Sequence, residues 1–231
     1  MSSAESSGAQ LLAQVVAQYG SEAQSGWLAE AEASLGSPAQ PTKLRIAIAR
    51  AARKLGSDHV ALTGTERAAL PEGPAYQQWC LWDFGRASLV LSACASLPEA
   101  QHVGVVEPLL RRGEQGEQIS LLRMASILPG PARFVDVAID LCRTSSVDVF
   151  EAIACDNPFV RDHFPELNYN QVVLKAVFME VAVDRIVGLA QRVNDEMVRM
   201  ATDFGDERSA AGRAVPQDIQ HITELAKAKS T

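Results

Sequence analysis

The sequence predicts an all-α protein, and three observations support this fold class. Apolar residues recur at the i, i+3, i+4 and i+7 spacing of a helix face in several segments. Regular β-strand alternation with hairpin turns is missing. Short proline- or glycine-containing connections join the segments and favour antiparallel neighbours. We therefore expect stacked antiparallel helix pairs in an α-solenoid, HEAT-like arrangement with little or no sheet.

The N-terminal helices follow from apolar stripes. Residues 11–19 and 44–55 each carry a stripe at helical spacing and predict two amphipathic helices. Thr42 is placed to cap the second helix, and Gly56 is placed to end it. Residues 57–75 predict a long connection with one helical turn near 65–70.

Longer helices are expected after this connection. Tyr76 begins a segment of about five helical turns, which predicts a central helix. Pro98, Gly113 and the Pro-Gly-Pro sequence at 129–131 separate the elements that follow. A serine at 145 or 146 is placed to cap a helix that continues to residue 154.

The predicted organisation is a disordered tail over residues 1–10 and one all-helical domain over residues 11–231. The domain is expected to comprise N-terminal helices (11–75), a helical-repeat core (76–155), a polar-site region (156–213) and a C-terminal helix (214–231).

Composition limits the classes of partner. The chain has 231 residues, is 47% hydrophobic and carries a net charge of −7, so it is able to bury a large core and is repelled by nucleic acid. A basic helix at 43–54 is the local exception, and it is a candidate for contact with membrane phosphates or an acidic partner. Such a charged helix is more often a solvated face.

No targeting signal and no apolar stretch of membrane-spanning length is present, so we expect a cytoplasmic protein without a transmembrane segment. The four cysteines have no close pair and are expected to be reduced core thiols. Nucleotide-binding and metal-binding motifs are missing, so no cofactor and no metal are expected.

Polar residues interrupt apolar helices between residues 151 and 213. Residues 168–181 predict a helix that is apolar nearly all round and runs through the core, with Lys175 on its polar stripe. A buried ammonium requires a partner, and we expect a carboxylate in that position. The candidate partners are Glu151, Asp156, Asp203 and Glu207.

Two neighbouring segments complete this region. Residues 157–165 contain two prolines and are predicted to be a loop, in which Asn157 is also a candidate helix cap. His163 lies in this loop, and a lone histidine is more often structural than catalytic. Residues 194–210 predict a helix with exposed ion pairs, which ends near Gly212.

The same residues resemble a known family. Asn157-Pro158-Phe159, Asn170-Gln171 with Lys175, and Glu207-Arg208 through Gly212-Arg213 are similar to the EboA domain family of bacterial Ebo gene clusters. The resemblance implies a helical-repeat fold and a role in making or moving a secondary metabolite toward the cell envelope. It implies no established reaction. Other cluster products, including a membrane prenyltransferase of the UbiA type, are implied as partners, with a peripheral location at the inner membrane.

Three functions remain open. The leading hypothesis is a non-catalytic accessory protein that binds a small anionic or prenylated metabolite, or a partner enzyme, through a polar pocket. The second is an enzyme in which Lys175 or His163 transfers protons with Asp203 or Glu207. The third is a helical scaffold for proteins. The candidate ligand-binding residues are Asn157, His163, Asn170, Gln171, Lys175, Arg185, Asp203, Glu207, Arg208 and Arg213.

Overall fold

The all-α prediction is confirmed. The computed structural model describes residues 3–229, with side-chain burial from residue 7 onward, and this part of the chain contains fourteen α-helices, several 3-10 turns and no strand. An isolated bridge pairs His59 with Cys80. The stacked-pair arrangement of a solenoid stays a prediction.

Two compact units divide the chain that the sequence analysis treats as one domain over 11–231. The N-terminal unit is Met1–Ala138 and the C-terminal unit is Ile139–Thr231. The first contains α1 (Ser3–Tyr19), α2 (Glu22–Ser34), α3 (Pro41–Leu55), α4 (Gly64–Ala69), α5 (Leu81–Ala95), α6 (His102–Arg112) and α7 (Gln115–Arg123). The division falls within α8 (Val135–Leu141). The second continues with α9 (Val147–Ala154), α10 (Pro158–His163), α11 (Glu166–Met179), α12 (Leu189–Arg192), α13 (Asp195–Ala210) and α14 (Gln217–Lys229).

Helix α1 begins before the predicted start. It includes residues 3–10, which the sequence analysis assigned to a disordered tail. Ala9 and Leu12 are both buried, and α1 packs against α5, so tertiary packing extends the helix beyond its obvious apolar stripe. Residues 1, 2, 230 and 231, which fall in the predicted tail and the predicted C-terminal helix, lie outside the described part of the chain.

Helix α5 is the centre of the N-terminal unit, as its long apolar pattern predicted, but it begins at Leu81 rather than Tyr76 and has 15 residues, because a separate 3-10 turn covers Tyr76–Gln78. It is buried on nearly all sides and packs against α1, α2, α3 and α7. The rings of Tyr76, Trp79 and Phe84 contact one another at its N-terminal end, with centroids 4.7–5.8 Å apart. Gly85 allows α3 to approach closely, because a Cβ there would lie 2.1 Å from Leu55 Cδ1.

A buried polar network connects α5 to its neighbours. The Asp83 carboxylate accepts hydrogen bonds from the Cys80 backbone (2.9 Å), the Ser120 hydroxyl (2.5 Å) and Arg123 (2.9 Å). Arg86, which is 3% exposed, donates to Ser120 Oγ and to the Gly116 carbonyl at 2.8 and 2.7 Å. Buried charges are tolerated only when they are paired in this way.

Local signals were confirmed at several helix ends and were wrong at two. Ser146 caps α9, and Gly56 ends α3 with a φ of 78°. The N-cap of α3 is Gln40 rather than Thr42, because Pro41 already occupies the first helical turn. The predicted loop at 157–165 instead contains α10, which Asn157 caps immediately before a proline at the first position.

Helix α11 is less buried than its composition suggested. Val173 and Ala176 are fully buried, but Leu167 is 58% exposed and Phe178 is 68% exposed. The exposed Phe178 ring lies 6.2 Å from the ring of Phe204 on α13. The prediction that α11 runs through the core is therefore correct for one face only.

Asp83→Asn should destabilise the protein by about 3 kcal/mol, because removing one partner leaves Arg123 unpaired in a largely buried site. Urea unfolding followed by circular dichroism measures the change. Asp203→Asn is the matched control, since Asp203 pairs with Arg199 on the surface, where an ion pair contributes little to stability. Equal losses for the two variants would contradict the assigned role of Asp83.

Candidate functional site

A small cavity of about 300 Å³ in the C-terminal unit contains two of the predicted site residues, Gln171 and Lys175. Both side chains project from α11, one helical turn apart. The cavity is lined by Ile139, Cys142, Arg143, Phe164, Asn168, Gln171, Val172 and Lys175. Its volume is at the lower end of the range for small-molecule sites.

Lys175 is half-buried at this cavity, and its partners differ from those predicted. Its Nζ donates to the carbonyl oxygens of Cys142 and Thr144, each at 2.5 Å. These carbonyls follow the last residue of α8, where a cation is favoured by the helix dipole. Within the described residues no carboxylate pairs with Nζ, so the expected ion pair was wrong.

The Lys175 ammonium lies near an aromatic ring, and burial affects its pKa. Its Nζ lies 5.5 Å from the centre of the Phe150 ring. Burial lowers the pKa of Lys175 below its ordinary value, and the neighbouring Cys142 partly opposes this shift. An ammonium has three N–H donors, and the two carbonyls occupy two of them. The third donor has no hydrogen-bond acceptor among the described residues.

The two side-chain amides of the cavity are also available. The side-chain amides of Asn168 and Gln171 have no hydrogen-bond partner in the described part of the chain. Arg143 is 76% exposed at the rim and donates to Asp140. Burial raises the pKa of the Cys142 thiol to about 12, so this wall residue is protonated and unreactive at neutral pH.

Arg185 pairs with two of the four carboxylates that were expected to pair with Lys175. It hydrogen-bonds Glu151 at 2.7 Å and Asp156 at 3.0 Å. The Asp156 backbone N–H donates in return to the Arg185 carbonyl at 2.8 Å. Burial lowers the pKa of Arg185, but these hydrogen bonds outweigh it and raise the pKa above its ordinary value. This arrangement fixes the chain around Asp156, which has a φ of 54°.

Two predicted amides have structural partners. Asn157 accepts from the Phe159 backbone at 3.0 Å as the cap of α10. Asn170 is 1% exposed and exchanges two hydrogen bonds of 3.1 Å with Asn194. Asn194 also accepts from the Met197 backbone at 2.8 Å and thereby caps α13. These contacts position α10 and α13 rather than line the cavity.

The remaining candidates lie outside the cavity. The His163 ring is half-buried, 5.0 Å from the Phe159 ring. Asp203 pairs with Arg199 on the exposed face of α13, and Glu207 is exposed one turn later. Arg208 donates to the Ala214 carbonyl at 2.7 Å, and Arg213 is exposed in the connection to α14. The structure therefore does not bring the ten predicted residues into one pocket.

Arg192 stabilises the wall of the cavity that Phe164 forms. It donates to the carbonyls of Val160, Arg161 and Phe164 at 2.8–3.1 Å, and its guanidinium lies 4.2 Å from the centre of the Tyr169 ring. The carbonyls are those at the end of α10, so Arg192 acts there as Lys175 acts at the end of α8. Its position among polar residues in the sequence gave no indication of these acceptors.

A larger groove lies in the N-terminal unit and has no counterpart in the sequence analysis. Its volume is about 820 Å³, and α1, α2 and the end of α5 form its walls. Its lining is mostly alanine, serine and glycine, which carry no chemical signature in a sequence. Glu32 is its charged residue, and its carboxylate lies 2.5 Å from the Ser88 hydroxyl.

The described residues contain no group of three or more His, Cys, Asp or Glu side chains placed to hold a metal ion. All four cysteines are buried, and none of them forms a disulfide in the described residues. No helix in the described residues has the length and apolarity needed to cross a membrane. The fold defines an all-helical protein with a small polar cavity in its C-terminal unit.

The chain belongs to the EboA family. The family model, described as metabolite traffic protein EboA, matches residues 8–224 of the 231-residue chain. The comparisons with curated proteins and with solved structures find no match. The match extends well beyond residues 157–213, which carried the resemblance in sequence.

Asn194→Ala should destabilise the protein by about 2–3 kcal/mol. The substitution removes the cap of α13 and also leaves the buried Asn170 amide without its partner. Ser146→Ala is the control, since it removes the cap of α9 without affecting the Asn170–Asn194 pair and should cost about 1 kcal/mol. Urea unfolding measures both, and equal costs would contradict the role of the amide pair.

Proposed function

We propose that this protein is a non-catalytic binding protein for a small metabolite and that the cavity beside Lys175 holds an anionic group of that metabolite. The observation that carries the proposal is the unused N–H donor of a half-buried ammonium next to two unpaired amides. The family description, metabolite traffic protein, supports a binding role.

The chemistry of the lining favours a carboxylate or a phosphate attached to an apolar body. Lys175 and the amide N–H groups of Asn168 and Gln171 are donors, and a charged acceptor forms stronger hydrogen bonds with them than a neutral one does. Arg143 adds a second positive charge at the rim. Ile139 and Val172 supply apolar contacts for the part of the ligand next to its anionic group.

Proton transfer by Lys175 is disfavoured by the same contacts. Two carbonyl oxygens at the end of α8 accept hydrogen bonds from Nζ, and their partial negative charge favours the ammonium over the neutral amine. A catalytic pair with Asp203 or Glu207 requires direct contact, but both carboxylates lie on the exposed side of α13. Binding without turnover therefore agrees better with the geometry.

Native mass spectrometry tests this proposal on protein purified gently from a host that carries the whole gene cluster. We expect a reproducible small-molecule adduct on the unmodified protein and its loss from the double variant R143Q/Q171L. Both residues are exposed, so the variant should fold normally. Lys175→Met is a second variant, whose folding is checked separately because Lys175 also stabilises the end of α8.

The matched control is R199Q/Q220L, which makes the same two changes on exposed faces of α13 and α14. It should retain the adduct. An adduct that persists in R143Q/Q171L, or a protein that carries none and instead co-purifies with another cluster product, would overturn the proposal. The second result would favour the scaffold hypothesis.

A further inference from the structure

We propose that the exposed face of α3 is a docking surface for an anionic lipid membrane. This basic face is formed by Lys43, Arg45, Arg50, Arg53 and Lys54. The proposal concerns the N-terminal unit and does not depend on the cavity beside Lys175.

The charge of α3 contrasts with that of the whole chain. The chain has a net charge of −7, yet α3 carries five cations and no acidic residue in its 15 residues. All five cationic side chains are exposed, and within the described part of the chain none of them has a hydrogen-bond or ion-pair partner. Elsewhere on the surface, arginines such as Arg111 and Arg199 pair with neighbouring carboxylates.

The helix geometry spreads these charges over a surface. Successive residues turn by about 100° around a helix axis, so the five cations occupy the half of α3 opposite its buried stripe. That stripe, which includes Leu44, Ile48 and Leu55, packs in the core. A helix of 15 residues is about 22 Å long, and the cations extend from its first turn to its last.

Apolar groups lie among the cations. Ile46 is 46% exposed between Lys43 and Arg50. A groove of about 480 Å³ beside it, between α2 and α3, is lined by Trp27, Ile46 and the basic residues Lys43, Arg50 and Lys54. Tryptophan and aliphatic side chains among lysines and arginines are typical of protein surfaces that contact the headgroup region of a bilayer.

An extended anionic surface fits this face better than a single small anion does. A phosphate site needs donors that converge on one point, but these cations are distributed along the whole helix. The Glu30 carboxylate also borders the groove and opposes an isolated anion within it. Each basic residue close to an anionic leaflet contributes favourably to binding, so distributed charges act together.

Vesicle co-sedimentation of the full chain tests the proposal. Vesicles of phosphatidylcholine containing roughly a third phosphatidylglycerol should bind the protein at low ionic strength, and vesicles of phosphatidylcholine alone should not. The variant K43Q/R50Q/K54Q should lower the partition coefficient by about a hundredfold. Ile46→Ser alone should lower it by about fivefold, because a half-exposed apolar side chain is removed.

The control variant R67Q/R199Q/K227Q makes the same change in net charge at exposed sites outside α3 and should bind nearly as the unmodified protein does. Trp27 should become protected from iodide quenching on vesicle binding, and Trp27→Phe should lose this signal. The proposal is overturned if anionic vesicles fail to bind, if the control loses binding equally, or if millimolar inorganic phosphate or an acidic peptide displaces the vesicles at constant ionic strength.

Discussion

Hydrogen bonds centred on the buried Asp83 carboxylate link the helices of the N-terminal unit. Helix α5 is buried nearly all round, so its polar groups find partners only on neighbouring helices. The Asp83 carboxylate accepts a hydrogen bond from the Cys80 backbone N–H at the start of α5. It also accepts hydrogen bonds from the Ser120 and Arg123 side chains of α7. Ser120 in turn accepts from Arg86, which also donates to the Ile48 carbonyl on α3 at 3.2 Å. One buried charge thereby fixes the relative positions of three helices, which hydrophobic packing alone specifies less strictly.

In the C-terminal unit, polar groups also need hydrogen-bond partners, and cationic side chains at the ends of helices supply them. Lys175 donates to carbonyls that follow α8, and Arg192 donates to carbonyls at the end of α10. Lys229 donates to the carbonyls of Gln191 and Val193 at the end of α12, at 2.8 and 2.9 Å. Helix C-termini leave carbonyl oxygens without intrahelical partners, and their partial negative charge favours a cation. Of these three cations, Lys175 performs this role beside the cavity with unpaired amides. The proposed binding site is therefore built onto a contact that the fold already requires.

Local signals in the sequence predicted much of the fold. The boundaries of α13 and the cap at Ser146 depend on residues within one or two turns, so they were readable without tertiary information, and both ends of α11 were predicted two residues too late. Helix α2 was missed because only Leu28 and Ala31 are buried in it, which leaves no apolar stripe to detect. The α10 segment was misjudged because an Asn-Pro pair was interpreted as a loop signal. The same pair is also a favourable helix start, and the packing of Phe159 and Val160 in the core decides between the two.

The candidate site was less predictable, for a physical reason. A sequence indicates that a buried charge needs a partner, but backbone carbonyls are present at every residue and give no signal as acceptors. Lys175 was therefore assigned a carboxylate, whereas Glu151 and Asp156 pair with Arg185, whose planar guanidinium binds two acceptors at once. Polar residues whose hydrogen bonds are satisfied inside the protein, such as Asn157 and Asn170, are explained by folding alone. The groups that folding does not explain are unpaired donors at the surface. Two regions meet this criterion, the polar lining of the Lys175 cavity in the C-terminal unit and the basic face of α3 in the N-terminal unit. In both, an anionic partner would form hydrogen bonds or ion pairs that the fold itself does not supply.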